Sequence, residues 1–250
     1  MVFFISSLGK FLHGGYFTAL LTLLILCLML IWHRGTKLEK KFRTTLNMRE
    51  YIETLRQLHE DESLPLIANN LVYLVKEQNV EEIDRDILFS IVDKDAKRAN
   101  AYWFVNINIL ETPGEMNYEV ETYGTDFIFR VKINLGFKCG QQINVYLRQI
   151  VQDLQASGEL PEQDRRHSIY RKAPVGNFKF GFIHKSVPTK TTLLSALDIK
   201  LLSAKYKIRE WAGSKVSWYG LNTASLIIET VPLIISPAEN EKRITRKTKS

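Results

Sequence analysis

FLHGGYFTALLTLLILCLMLIW, residues 11–32, is the one stretch of this sequence that cannot live in water, and the rest of the chain is placed relative to it. No charged side chain falls between Tyr16 and Trp32. As a helix the stretch rises about 30 Å, enough to cross a bilayer's hydrocarbon core. The reading is a transmembrane helix over residues 11–33, with Tyr16 and Trp32 as interfacial anchors. Gly14 and Gly15 lie at its outer end beside His13, which has no acidic or histidine neighbour to make it a proton relay. Residues 1–10 read as an extracytoplasmic segment or the end of a preceding helix. A cleaved signal peptide fits poorly, because the basic residues follow the apolar run instead of preceding it.

The charge pattern orients this helix. The chain has 250 residues and a formal net charge of +7, but the excess is concentrated in two places. Arg34, Lys37, Lys40, Lys41 and Arg43 stand against Glu39 directly after the span, and Lys242, Arg243, Arg246, Lys247 and Lys249 against Glu239 and Glu241 at the end. With Lys10 set aside, residues 44–238 carry a formal charge of −1. That body is not a nucleic-acid binder by charge. The first cluster places the C-terminal body in the cytoplasm by the positive-inside rule, and the N-terminus outside. Residues 237–250 read as a basic disordered tail. Cys27 and Cys139 fall in the span and in the soluble part, so no disulfide framework is expected.

Beyond a basic juxtamembrane hinge, Met48, Tyr51, Ile52, Leu55 and Leu58 predict an amphipathic helix over residues 45–59; hinge and helix together occupy 34–60. Residues 61–236 then alternate between strand and helix signals. Residues 71–75 read as a buried strand. Glu81, Glu82, Asp84 and Asp86 are expected to open a helix that carries Ile83, Ile87, Leu88 and Ile91. Strands follow at 101–110, 118–123 and 127–135, the last two forming a hairpin with one face buried around Gly124-Thr125-Asp126. Ile143, Tyr146, Leu147, Ile150, Val151 and Leu154 form a helix that Gly158 closes. A polar loop at 161–171, a strand at 178–183, a helix with Leu194, Leu197, Leu201 and Leu202, and a strand at 226–235 complete the body. The fold class is one transmembrane α-helix followed by a mixed α/β cytoplasmic domain of five or six strands with flanking helices.

Catalytic chemistry is not legible. His59, His167 and His184 are scattered, and no nucleophile elbow, zinc-protease helix, Cys-x-x-Cys pair or phosphate-cradling glycine loop occurs. Gly136, Gly140, Gly176 and Gly181 read as isolated turn or strand glycines. Glu60, Asp61 and Glu62 read as a solvated turn. Aromatic strand residues beside Arg130 and Lys132 offer base stacking, but core packing explains them. No catalytic, cofactor-binding or metal-binding residue is assigned, no cofactor is expected, and the chain does not read as an enzyme.

Lys10-Phe11-Leu12-His13-Gly14-Gly15-Tyr16-Phe17 and Trp32-His33-Arg34-Gly35 together resemble the last membrane helix of the KUP potassium uptake transporters. The soluble part resembles that family's C-terminal cytoplasmic domain. Val72-Tyr73-Leu74 after Pro65, Phe129-Arg130-Val131 with Leu135-Gly136-Phe137, and Tyr219-Gly220-Leu221 before Ile227-Ile228-Glu229 and Val231-Pro232-Leu233 carry that resemblance in order. Tyr16 departs from the usual Trp, Thr18 and Asn222 from common prolines, and a Gly-Thr-Ala before the first soluble strand is missing.

The resemblance implies the C-terminal part of a potassium uptake protein, a K+/H+ symporter of the cell membrane. Its potassium and proton sites lie in earlier helices absent from this chain, so no transport residue is carried over and the chain alone is not expected to transport. The expected partners are potassium and protons through that missing core, the lipid bilayer, and a second copy through a cytoplasmic regulatory or dimerisation domain; nucleic acid is not among them. The other reading is a single-span, membrane-anchored regulatory domain that binds a small ligand such as a nucleotide messenger.

Overall fold

The computed structural model describes residues 15–76, 79–163, 175–186, 194–212 and 225–233. The chain divides into two compact units, one made of Met1–Phe42, Lys185–Ser203 and Pro232–Ser250, the other of Arg43–His184 and Ala204–Val231.

In the first unit, helix α1 (Tyr16–Lys41) runs unbroken for 26 residues. With a mean hydropathy of 2.1 over its most apolar 18 residues, a stretch that stays exposed, it is long and apolar enough to cross a membrane. Thr22 and Thr36 tie their hydroxyls back to the carbonyls of Thr18 and Trp32, so neither leaves a bare polar group along the helix. The basic stretch read as a hinge is helical as far as Lys41. Lysine, leucine and glutamate are good helix formers, and Lys40 and Lys41 in the last turn complement the helix dipole. Leu38 and Phe42 pack with Leu194, Ile199, Leu202 and Leu233 around the start of the last helix (α5, Ala196–Trp211).

The second unit is built on strands β2 (Ala68–Leu74), β4 (Ala99–Leu110), β5 (Met116–Glu121), β6 (Ile128–Gly136), β7 (Phe178–Ser186) and β8 (Leu226–Pro232). They form one sheet in the order β5-β6-β4-β2-β7-β8. β6, β4, β2 and β7 are mutually parallel, and β5 closes one edge as the antiparallel arm of the expected hairpin. Parallel strands need cover on both faces. Helix α4 (Ile143–Ala156) covers one with Leu147, Ile150 and Val151 against Trp103, Phe129 and Phe180. Helix α2 (Met48–Glu60), with Met48 and Leu55, covers the other together with a short helix α3 (Arg85–Leu88) that continues as a π-helical turn, Phe89–Lys94.

Local readings shift in three places. Thr45–Asn47 forms a strand, β1, and not the first turn of α2; it pairs with β3 (Glu82–Asp84), which takes Ile83 and two of the acids out of the helix they were expected to open. Asn47 caps α2 by accepting from the Arg49 N–H. In β6 the alternate positions are also covered: Arg130 and Asn134 are buried, so both faces are packed where one was expected. At the end of α4, Gly158 takes φ +78° and its N–H bonds the Gln155 carbonyl, closing the helix as read. The stretches 1–14, 164–174, 187–193, 213–224 and 234–250, which hold His13, His167, Tyr219-Gly220-Leu221 and the basic tail, lie outside the described residues.

Candidate functional site

The face of the sheet under α2 and α3 carries a buried ionic group. Gly181 on β7 faces Tyr73 on β2, and a Cβ at Gly181 would overlap the tyrosine ring. The absent side chain lets that ring lie flat across β7. Its hydroxyl reaches Ser90 Oγ at 2.9 Å, and Ser90 in turn donates to Glu229 Oε2 on β8. Because Ser90 has one proton and gives it to the carboxylate, the tyrosine donates to the serine. Lys97 Nζ approaches Glu229 Oε1 at 2.7 Å and also donates to the carbonyls of Ser90 and Asp95. Lys97 is 2% exposed and Glu229 7%, so both charges lie out of water. Burial pushes the Tyr73 hydroxyl well above its ordinary value, which keeps it a neutral donor. Tyr102, pushed up to about 12 for the same reason, donates to the Lys97 carbonyl at 2.9 Å. With every proton directed at an internal acceptor and Ser90 fully buried, the cluster works as a tether for β8 and not as a nucleophile.

The same face turns polar toward β5. Asn108, Asn134 and Asn117 form a ladder across β4, β6 and β5, at 2.9 and 2.7 Å. Next to it Val80, Asn106, Glu119, Glu121, Arg130 and Lys132 line a groove of about 260 Å³. Arg130 Nη1 donates to the carbonyls of Val80 (3.1 Å) and Glu82 (2.6 Å), so this guanidinium holds the β3 approach instead of stacking a base. Asn106 gives its Nδ2 to the Val75 carbonyl at 3.3 Å, while its buried Oδ1 has no hydrogen-bond partner among the described residues. A ligand with an N–H or O–H group would satisfy it.

His59 and His184 do not converge. His59 stacks on Phe127 at 4.8 Å with Nδ1 bonded to the Ala99 carbonyl, and His184 is exposed on β7. Asp61 caps its own turn, its carboxyl held below the usual range by hydrogen bonds from the Ser63 hydroxyl and N–H. No cluster of metal-ligating side chains occurs among the described residues, and both cysteines are free. The sequence reading missed the ionic cluster. The one signal for it was Glu229 at an inward position between the apolar Ile227 and Val231.

One apolar helix long enough to cross a membrane, followed by a mixed α/β domain without a catalytic constellation among its described residues, defines the class by its fold. The family model of the K+ potassium transporter C-terminal domain matches residues 68–232. The chain is 40% identical over 250 residues to the probable potassium transport system protein Kup of Enterococcus faecalis, covering 100% of this chain and 37% of that protein. It is 42% identical over 248 residues to the Kup of Bifidobacterium adolescentis (98% and 38%), and 40% over 235 residues to that of Streptococcus pyogenes serotype M28 (94% and 35%). No solved structure matches. The chain belongs to the Kup potassium transporter family and corresponds to its C-terminal portion. It spans little more than a third of the length of these relatives.

Removing one member of a buried ion pair strands the other charge, at a cost of about 3–5 kcal/mol, whereas replacing both with apolar groups costs far less. Lys97→Met alone is therefore expected to lower unfolding free energy by about that amount, and Lys97→Met with Glu229→Leu to recover most of it. Denaturant melts of the four proteins in a double-mutant cycle measure the difference; additive losses would show that the pair is not coupled.

Proposed function

We propose that this chain is the C-terminal part of a K+/H+ symporter, supplying its last membrane helix and a cytoplasmic regulatory or dimerisation domain. The observation that carries the reading is the similarity of the whole chain, at 40% identity, to the C-terminal portion of proteins named for potassium transport. The chain brings no ion pathway of its own: the described part of α1 has no acidic or basic side chain before His33. Potassium and protons pass through the portion of the relatives that it does not match. The basic cluster after Trp32 supports a cytoplasmic α/β domain and an external N-terminus. Pairing with a second copy rests on the family resemblance.

Cells lacking potassium uptake are expected not to grow on low potassium with this chain alone, and to grow when it is joined to the unmatched N-terminal portion of the Enterococcus relative. Growth on the N-terminal portion alone, as fast as on the joined protein, would refute a contribution from this chain.

Sidedness is tested with Cys27 replaced by serine. A membrane-impermeant maleimide is expected to label the half-buried Cys139 in inverted vesicles and not in intact cells; labelling from outside reverses the orientation. Cross-linking in the same vesicles is expected to give a two-copy band, and its absence removes the pairing.

The unsatisfied Asn106 Oδ1 favours a second reading, in which the α/β domain binds a small ligand that regulates transport. Millimolar adenine or guanine nucleotide is then expected to raise the melting temperature of the wild-type chain and not of Asn106→Leu. No shift with either class removes a nucleotide as that ligand.

A further inference from the structure

Beyond Trp32, Arg34, Lys37 and Lys41 recur at i, i+3 and i+7, so the C-terminal end of α1 carries three cations along one side, with Leu38 among them. The first turns of α5 pack beside this side within the same compact unit. Together they line a groove of about 510 Å³. Leu38, Leu197 and Leu201 supply its apolar lining, and Arg34, Lys37 and Lys41 its positive charge. Leu197 is 78% exposed, an unusual position for a leucine that a bundle could have buried. The only acid among the described lining residues, Asp198, already accepts from the Ser195 hydroxyl at 2.8 Å, while that hydroxyl caps α5 by accepting from the Asp198 N–H. A groove lined by three leucines and three cations is complementary to an anion that carries hydrocarbon.

Depth along the helix identifies the source of that anion. Arg34 and Lys37 lie about 3 and 8 Å beyond Trp32 along the helix, within the headgroup layer; Lys41, whose Nζ lies 5.8 Å from the Phe42 ring centroid, has a stem long and flexible enough to swing back toward it. We propose that the groove holds one anionic phospholipid of the cytoplasmic leaflet. Its phosphate sits against Arg34, Lys37 and Lys41, and its glycerol and first methylenes against Leu38, Leu197 and Leu201. The proposal rests on α1 crossing the bilayer, and it goes beyond the transport reading by giving this domain a lipid ligand. Each cation facing an anionic lipid strengthens binding by about fivefold.

The test uses the full chain in detergent, titrated with dioleoyl phosphatidylglycerol, dioleoyl phosphatidylcholine or inorganic phosphate and read by native mass spectrometry. One phosphatidylglycerol is expected to be retained at a concentration at least about tenfold below that needed for phosphatidylcholine, and millimolar phosphate is expected not to displace it. Lys37→Gln with Lys41→Gln should weaken phosphatidylglycerol retention by about 25-fold, leaving only the share of Arg34, with phosphatidylcholine retention unchanged. Leu197→Ser should weaken phosphatidylglycerol severalfold. All three side chains are at the surface, so circular dichroism melts should be unaltered and loss of binding is not loss of fold. Equal retention of the two lipids, displacement by free phosphate, or full retention by the double variant would each overturn the proposal. So would loss of the lipid when the Enterococcus N-terminal portion is bound, because the groove would then be covered by protein. Flotation on phosphatidylcholine vesicles tests the membrane reading separately: a chain that fails to float refutes α1 as a span, whatever the groove binds.

Discussion

A parallel strand with a partner on each edge still has two faces to keep from water, and β2 is in that position, between β4 and β7. Leu71, Val72 and Tyr73 are all essentially inaccessible, although they point alternately to opposite faces. Cover must therefore come from both sides. α4 supplies it on one, and α2 with the Arg85–Lys94 segment on the other. Both α2 and α4 have one apolar stripe because each has one layer of sheet to cover.

The same constraint makes polar residues inside the sheet costly, and the chain meets that cost by pairing them. Asn70 on β2 accepts from the Trp103 indole at 3.0 Å and exchanges two hydrogen bonds with Gln163. The asparagine ladder does the same across β4, β6 and β5. The Lys97–Glu229 pair is the extreme case. Burying two charges is expensive, and such pairs are weak contributors to stability compared with an apolar replacement. What this one provides is position: it ties the late strand β8 to the π-helical turn and, through Ser90, to Tyr73 on β2. An edge strand held by apolar contacts alone could slip in register with little penalty, whereas a slipped Glu229 would strand Lys97. Gly181 belongs to this arrangement, since the ring that reaches Ser90 lies where a side chain on β7 would stand.

The sequence reading succeeded where periodicity has one interpretation. The long apolar run is α1, the i, i+3, i+4 pattern from Ile143 to Leu154 is α4, and the alternation from Phe127 to Leu135 is β6. It failed where a local preference was outbid by a partner distant in sequence. Thr45–Asn47 and Glu82–Asp84 are each compatible with a helix start, but each became a strand because the other was within reach to pair with it. Arg130 looked like an exposed position on a half-buried strand. It is buried because the carbonyls of Val80 and Glu82 offer its guanidinium acceptors. No pattern of neighbours along the chain encodes such an encounter.

What the sequence determined by itself is everything that depends on composition within a short window: a helix able to cross a membrane, the sign of the charge beside it, an α/β alternation, and the order of motifs that places the chain in its family. Hydrophobicity and net charge are summed locally, so they survive without coordinates. The tertiary structure alone decided the strand order, the second covered face of β6, the ionic tether of β8 and the cationic groove at the end of α1. Each of these is a meeting between residues far apart in the chain: Lys97 and Glu229, Tyr73 and Gly181, Leu38 and Leu202. Their energies come from exclusion of water and direct contact, and neither exists until the chain has folded.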